Sequence, residues 1–327
     1  MTESGGALPG TLSVVIPTYQ RPEWIRRAVR SLATQTRPPD EVIAVARDTD
    51  TPTHESIAAL QSEGLPFRLL QELVSDPGFI PPVKAGVAAA TGDVVAIMDD
   101  DAEAEADWAG RLLENYGNPR AGAVGGRIIN MTGETRTPVG KARRMGEVTM
   151  FGRFIGNMYR EPDFDDPAQV DFLMGGNMSF RREVAQRLEF DLELNRNVAQ
   201  GYEVDLGLQV KRMGWQVIFD PRLGVRHYSA PRQTVGMRPT ADLEAVQWYA
   251  YNHARVALRR LRPWHGALAF SYLLAVGERR APGVVPMLLG PVARRAGFDV
   301  PAARAALRGR LLAARGVFRA AGASSRS

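Results

Sequence analysis

The feature that most constrains this chain is an alternation of apolar and amphipathic segments over its first hundred residues. Residues 12–16 form a short, largely β-branched apolar run that stops at Pro17, which is typical of a strand buried on both faces. Residues 22–32 place apolar side chains at helical spacing behind a proline in the first turn. The chain therefore begins with a strand that leads into a helix.

The same unit repeats along the chain. Further strands are predicted at residues 41–46, 67–70 and 94–98, and helices at 53–63 and 83–90. This order predicts an α/β fold with a mostly parallel central sheet flanked by helices. Ligands of such sheets bind at the carboxyl ends of the strands. We therefore expect the loops at residues 18–21, 47–51 and 99–101 to meet at one crevice.

The pattern becomes mixed after residue 108. Helices are predicted at 108–116 and 203–213, and strands at 122–129 and 215–219. Residues 170–180 are predicted to be a strand that enters a turn, followed by a helix to residue 188, whereas residues 141–160 give no clear element. A length of 327 residues fits one large domain with an appendage or two small ones. We expect an α/β domain over residues 10–235 and a helical, Arg-rich extension over 236–327.

The charge of the C-terminal part differs from that of the rest of the chain. From Arg255 onward the sequence holds fourteen arginines, no lysine and two acids, whereas the whole chain has a net charge of only +5. The apolar runs at 267–276 and 284–289 are shorter than the roughly 20 residues that span a bilayer. Flanking arginines and Trp264 favour contact with an anionic membrane surface. The alternative is a set of core helices or a solvated arginine face.

Two features that the sequence lacks restrict its chemistry and its expected location. The chain has no cysteine, which excludes disulfides, zinc–thiolate sites and thiol nucleophiles. Residues 1–10 lack the basic and apolar stretches of a secretory signal. We therefore expect a cytoplasmic protein, placed peripherally on the inner face of the membrane if the extension binds lipid.

Five stretches in a fixed order carry a family resemblance. They are LSVVIPTYQRPEWIRRAVRSL at 12–32, PDEVIAV at 39–45, GDVVAIMDDDAEAEADW at 92–108, GGNMSFRR at 175–182 and GYEVDLGLQVKRMGWQVIFDPRLGVRH at 201–227. The chain resembles the family 2 glycosyltransferases, which have the GT-A fold. The resemblance implies a nucleotide-sugar donor, a divalent Mg or Mn ion and transfer to an acceptor hydroxyl with inversion. A glycan, a lipid-linked acceptor and a small-molecule acceptor all stay open.

Three consecutive aspartates follow the strand at 94–98. Carboxylate oxygens are the ligands that hard divalent ions prefer, and such an ion stabilises a departing diphosphate. The resemblance assigns Asp99 to the ribose and Asp101 to the metal, with Asp100 also in the donor site. It further implies that His227 completes the metal shell. The alternatives are an acidic turn or helix cap, and a structural histidine.

Further donor contacts are predicted in the loops after the first two strands and on the helix at 83–90. Thr18, Tyr19 and Arg21, with Pro17 before them, stand at the end of the first strand, where an aromatic ring can hold a base and a hydroxyl or cation can reach ribose or phosphate. The resemblance adds Asp48 as a base contact and Lys84 as a residue facing the diphosphate. Two positions depart from the family: its acidic pair after the second strand is displaced toward Asp48, and Lys84 stands where relatives carry Arg or Asn. Tyr19 could instead pack at the strand end, and Lys84 could be an exposed helix lysine.

Inverting transfer requires a carboxylate that accepts the proton of the attacking hydroxyl. The family places an aspartate there, and this sequence has Glu203, with Asp205 as the second acid. The alternative is that both complement a helix dipole. Gly175, Gly176 and Asn177 are predicted to form the acceptor wall, the alternative being a tight turn.

Three other functions compete with this interpretation of the sequence. A nucleotidyltransferase would carry a Gly-rich basic stretch near its first strand, and Pro17-Thr18-Tyr19 stands there instead. A catalytically silent, membrane-bound scaffold that binds sugar nucleotides is motivated by the displaced acids. Nucleic-acid binding by the extension is disfavoured because aromatic residues are not interleaved with its arginines.

Overall fold

The computed structural model describes residues 10–196, 199–230, 242–288 and 300–324. Their contacts divide the chain into two compact units. The sheet unit contains residues 10–146, 156–189 and 209–230, and the helical unit contains 147–155, 190–208 and the described residues from 242 onward. The predicted domain boundary after residue 235 lies outside the described residues.

The strands follow the predicted alternation closely. They are β1 Leu12–Thr18, β2 Glu41–Arg47, β3 Arg68–Val74, β4 Val94–Met98, β5 Ala102–Ala104, β6 Ala121–Thr132, β7 Thr135–Arg136, β8 Lys141–Ala142, β9 Glu147–Val148, β10 Phe154–Ile155, β11 Glu161–Pro162, β12 Ala168–Val170, β13 Asn177–Arg181 and β14 Gln216–His227. The helices are α1 Pro22–Ala33, α2 Thr51–Gln61, α3 Ile80–Ala89, α4 Trp108–Asn115, α5 Arg182–Ala185, α6 Tyr202–Arg212, α7 Leu243–Arg260, α8 Pro263–Ala275, α9 Val284–Leu288 and α10 Val300–Ser324.

One large sheet organises the sheet unit. Its strand order is β12-β14-β6-β13-β4-β1-β2-β3, with β5 added to β14 and β7 to β6. β1 pairs in parallel with β2 and β4, and β6 pairs in parallel with β14, whereas β13 runs antiparallel between β4 and β6. The carboxyl ends of β1, β2 and β4 therefore share one edge. The antiparallel β13 brings its first residue, Asn177, beside Met98 at that same edge.

The apolar runs of the sequence form the core of this unit. Every residue of β1 is buried, and Leu12, Val14 and Ile16 pack in one cluster with the inner face of α1. The predicted strand at 94–98 has the bounds of β4. The segment at 170–180, predicted as a strand that enters a turn, ends β12 at Val170, continues through residues 171–176 and enters β13 at Asn177. The predicted strand at 215–219 continues to His227 past an irregularity between Asp220 and Gly224.

The helical unit is built mainly on α7 and α10. Ala250, Ala254, Ala306 and Ala313 are buried in its small apolar clusters. A side chain at Gly309 would lie 2.1 Å from the Gln247 carbonyl oxygen, so the two helices approach too closely for one there. Within the described residues, no helix has the length and apolar character needed to cross a bilayer.

Candidate functional site

The three aspartates after β4 lie at the sheet edge where β1 also ends. Asp100 and Asp101 are buried and Asp99 is half-buried. Thr18 donates a hydrogen bond to Asp100 Oδ2 at 2.9 Å, and Arg21 Nη1 lies 2.7 Å from Asp100 Oδ1 and 3.3 Å from Asp101 Oδ2. The parallel pairing of β1 with β4 explains why the first loop reaches these carboxylates. The predicted donor-site residues Thr18, Arg21 and Asp100 thus form one connected group.

The two buried carboxyls have different acidities. Burial raises the pKa of Asp100 to about 6, although the charge of Arg21 opposes this shift. Burial also acts to raise the pKa of Asp101, but the hydrogen bond and charge of His227, together with Arg21, bring it below its ordinary value. Asp101 is therefore the carboxyl that stays ionised most readily.

His227 ends β14 and faces the same aspartates. Its Nε2 atom lies 3.2 Å from Asp101 Oδ1 and 3.9 Å from Asp99 Oδ2. Its other ring nitrogen, Nδ1, lies 3.3 Å from the Ser229 hydroxyl. The backbone N–H of Ala230 donates to Asp101 Oδ2 at 2.9 Å, so the segment after β14 holds this carboxylate in place.

Asp99, Asp101 and His227 form a set that fits a divalent cation. One ligand atom from each residue lies within 4.8 Å of the others, and two carboxylate oxygens with one imidazole nitrogen suit Mn or Mg. The sequence predicted Asp101 and His227 as ligands and placed Asp99 at the ribose. The structure brings Asp99 into the same cluster, where it offers a third ligand atom.

Gly176 leaves the room that Asp99 occupies. A Cβ atom at this position would lie 2.6 Å from Asp99 Oδ2, so that carboxylate would have to move. We expect Gly176→Ala to weaken Mn²⁺ binding about tenfold or more, the range found when groups around metal ligands are changed. Isothermal titration with Mn²⁺ measures this change.

Gly110→Ala is the matched control, because its added Cβ would come no closer than 3.9 Å to Arg37 Cβ. The control should bind Mn²⁺ as tightly as the unmodified chain. Equal affinities in all three proteins would show that Asp99 does not contribute to the ion.

The loops after β1 and β2 are tied together by a residue that the sequence interpretation missed. Asp50 is buried, accepts the backbone N–H of Gln20 and caps α2 through the N–H of Thr53. Its position before Thr51-Pro52 is the sequence signal of a helix cap that could have identified it. Asp50 therefore fixes the first loop against the second.

Three of the other predicted donor contacts, Tyr19, Asp48 and Lys84, lie at exposed positions. Tyr19 is 38% exposed, and the Arg47 guanidinium lies 5.5 Å from its ring centroid. Asp48 is exposed and accepts a hydrogen bond from Ser75 at 2.8 Å, whereas Pro17 is buried in β1. Lys84 is exposed on α3. Their contacts with a donor stay predictions.

The predicted acceptor wall lies partly in the interior. Gly175 and Gly176 are buried at the turn that enters β13. The Asn177 amide donates to the Arg127 and Leu223 carbonyls at 3.0 Å and accepts from Trp108 Nε1 at 2.9 Å. This side chain joins β6 and β14 to α4, and its contact with an acceptor stays a prediction.

A second missed group lies beside His227. The Glu103 carboxylate accepts hydrogen bonds from Arg27 Nε and from the Tyr228 hydroxyl, both at 2.8 Å. The Arg27 guanidinium also lies 4.2 Å from the Tyr228 ring centroid. This group ties α1 to the residue that follows His227. No local sequence pattern pairs residues so far apart in the chain.

The predicted catalytic acids belong to the helical unit. Glu203 is half-buried in the first turn of α6, where its carboxylate accepts the Gly201 N–H at 3.2 Å. Asp205 is almost fully buried and pairs with Arg260 of α7 through two hydrogen bonds, of 2.7 and 3.1 Å. Asp205 is thus held in a bidentate ion pair, the geometry in which such pairs are strongest.

Helix α7 also anchors the segment that leads into α6. Asp191 pairs with Arg255 at 2.7 Å and with Arg259. Asn252 donates to the carbonyls of Leu194 and Gln200, each at 3.0 Å. The backbone before Glu203 is therefore held by side chains from one face of α7.

The sequence of this chain matches a known protein family. The sequence profile of Glycosyl transferase family 2 matches residues 13–189, which is more than half of the chain. The chain belongs to glycosyl transferase family 2. The family resemblance predicted from the ordered motifs is confirmed.

Two curated proteins are similar to this family 2 chain. The O-antigen biosynthesis protein RfbC of Myxococcus xanthus is 27% identical over 317 residues, covering 90% of this chain and 23% of RfbC. This chain thus spans about a quarter of that relative. The glucosyl-dolichyl phosphate glucuronosyltransferase of Haloferax volcanii is 27% identical over 229 residues, covering 66% of this chain and 68% of that protein.

A solved structure shows the same fold. The mannosyltransferase PcManGT of Pyrobaculum calidifontis, in complex with GDP-Man and Mn²⁺, aligns with a TM-score of 0.53 at 17% identity. The alignment covers 94% of this chain and 86% of PcManGT. The predicted GT-A fold, with its central sheet flanked by helices and its C-terminal helices, is confirmed.

Proposed function

We propose that this family 2 protein is a glycosyltransferase that moves a sugar from a nucleotide-diphosphate sugar to an acceptor hydroxyl with inversion. The observation that carries the proposal is the cluster of Asp99, Asp101 and His227 at the carboxyl edge of the sheet. The names of the relatives agree: one is a glucuronosyltransferase, and PcManGT was solved with a sugar nucleotide and Mn²⁺.

The donor site is proposed to lie at this carboxyl edge of the sheet. Asp99, Asp101 and His227 would hold Mn or Mg, which when bound would act as a Lewis acid toward the diphosphate. Arg21 and Thr18 fix Asp100 and so hold the backbone between the two ligand aspartates. Further donor contacts are proposed for groups of the neighbouring loops and of α3, namely Pro17, Tyr19, Asp48 and Lys84.

The transfer step is proposed to be a single displacement at the anomeric carbon. Glu203 accepts the proton of the acceptor hydroxyl as its oxygen attacks. A nucleoside diphosphate leaves more readily than an alcohol, so the general acid of glycoside hydrolysis is not needed. Gly175 and Gly176 are proposed to border the acceptor. The acceptor class we propose is a glycan, lipid-linked or small-molecule hydroxyl compound of cell-surface or metabolite synthesis.

Asp205 receives a different role from Glu203. Because both of its oxygens are bound by Arg260, we propose that the pair positions the first turn of α6. Arg260→Gln would leave a buried carboxylate without its cation, and breaking such a pair costs about 3–5 kcal/mol. We expect a lower melting temperature, and a kcat about tenfold lower per folded molecule with unchanged donor KM.

Arg260→Lys keeps the positive charge and should restore part of kcat. The control is Arg262→Gln, which changes an exposed arginine two residues away. Thermal unfolding and steady-state kinetics measure both effects. A lower melting temperature with an unchanged kcat per folded molecule would restrict the pair to a purely structural role.

A donor panel tests the proposed function. The purified chain is incubated with UDP-, GDP- and dTDP-sugars with and without Mn²⁺, and the released products are separated. Metal-dependent release of nucleoside diphosphate is expected with at least one donor. Binding without release would indicate a silent scaffold, and release of sugar 1-phosphate, which leaves when the nucleoside monophosphate is transferred, would indicate a nucleotidyltransferase. No binding of any donor would contradict the proposal.

The C-terminal extension, residues 236–327, is proposed to bring the enzyme to an anionic membrane from the cytoplasmic side. Its excess of arginine over acidic residues supports this location. The extension would hold the enzyme beside lipid-linked or cell-surface substrates.

A further inference from the structure

Helix α10 has two faces of different composition. Its buried residues include Ala303, Ala306, Arg310, Ala313 and Ala314. Arg310 is directed inward, where its guanidinium donates to the Pro282 carbonyl at 2.9 Å. The inner face is therefore used within the helical unit, chiefly for packing against α7.

The opposite face combines arginines with large apolar side chains. Its exposed residues are Arg304, Arg308, Leu311, Leu312, Arg315, Phe318 and Arg319. At about 100° per residue these seven positions fall within an arc of about 120°, and they extend over about 22 Å of helix. We call this set the α10 outer face. Phe318 is 65% exposed, an unusual state for a phenylalanine.

The sequence of α10 contains no Asp or Glu, so nothing within the helix offsets the charge of its arginines. Two copies of the face would repel each other, which disfavours self-association. Nucleic-acid phosphates would match the arginines but would leave Leu311 and Leu312 in water. An anionic bilayer surface matches both kinds of side chain, because phosphates meet the guanidinium groups and the acyl boundary receives leucine and phenylalanine.

We propose that the α10 outer face is a docking surface for an anionic lipid bilayer, with α10 lying in the plane of the interface. This inference rests on the membrane location proposed above and specifies the residues that contact lipid. Arg308 and Arg315 bind headgroup phosphates, and Phe318 inserts between acyl chains. Membrane contact by the arginine-flanked runs at 267–276 and 284–289 stays a separate prediction from the sequence.

Sedimentation of the full chain with vesicles tests the proposal. Binding is expected to vesicles of phosphatidylcholine mixed with phosphatidylserine, and to be much weaker with phosphatidylcholine alone. Each arginine near an anionic surface contributes about fivefold in partitioning, so Arg308→Gln with Arg315→Gln should lower binding about twenty-five-fold. Phe318→Ser should lower it about tenfold.

Matched controls lie in the sheet unit. Arg120→Gln with Arg187→Gln removes two exposed arginines, and Leu73→Ser replaces a side chain that is 55% exposed. These variants should bind vesicles like the unmodified chain. Equal losses in control and α10 variants, or unchanged binding in the α10 variants, would overturn the proposal.

Two further measurements separate the possible causes of failure. Retention on single-stranded RNA or duplex DNA without vesicle binding would replace lipid by nucleic acid as the partner. Nucleoside diphosphate release without vesicles should be unchanged in the α10 variants. Failure of lipid docking with normal release would therefore leave the glycosyltransferase proposal intact.

Discussion

Asp101→Asn is expected to lower metal-dependent release of nucleoside diphosphate about 10³-fold, because it removes the ionised carboxylate that faces both His227 and Arg21. The amide oxygen can still accept the Ala230 N–H, so the local backbone should be preserved. Turnover with saturating donor and the Kd for Mn²⁺ are measured on the same preparation. Turnover should fall and the Kd for Mn²⁺ should rise, while the melting temperature changes little.

The control for this variant is Asp107→Asn. Asp107 lies close in sequence but pairs with Arg111 at the surface, where such pairs contribute little to stability. It should keep the Mn²⁺ affinity and turnover of the unmodified chain. Wild-type turnover in Asp101→Asn would remove the cluster from the proposed mechanism.

Glu203→Gln is expected to lower kcat for sugar transfer by a factor of about 10² to 10⁴, the usual contribution of a general base. Glutamine can still accept the Gly201 N–H, so the start of α6 should form normally. Donor KM and Mn²⁺ affinity should be unchanged, because Glu203 is proposed to act on the acceptor hydroxyl and is not one of the candidate metal ligands. Initial rates with acceptor present, at saturating donor, give the comparison.

Two further variants test whether the effect depends on an acid at position 203. Glu203→Asp restores the residue that the family carries and should keep kcat within about tenfold of wild type, since it retains the acid with one methylene less. Glu183→Gln changes an exposed first-turn glutamate of α5 and should have no effect. Sugar transfer by Glu203→Gln at the wild-type rate would show that Glu203 is not the general base.

The alternation of apolar runs with amphipathic segments was sufficient to predict the four parallel strands β1 to β4 of the central sheet. Strands buried on both faces need continuous apolar side chains, and β1, β2 and β4 carry them. Parallel strands place their carboxyl ends at one edge, so the position of Asp99–Asp101 followed from the order of elements. The identity of Asp101 and His227 as candidate ligands came from the family resemblance, and the structure places them together.

The tertiary structure alone decided which charges meet. Asp205 pairs with Arg260, 55 residues away in sequence, and Asp191 pairs with Arg255, 64 residues away. These pairs form because α7 packs beside both acids within the helical unit. Likewise, the α10 outer face is exposed because the opposite, alanine-rich face of the helix is buried. Local patterns determine which residues form strands and helices. The contacts between distant elements depend on how those elements pack, which no short stretch of sequence encodes.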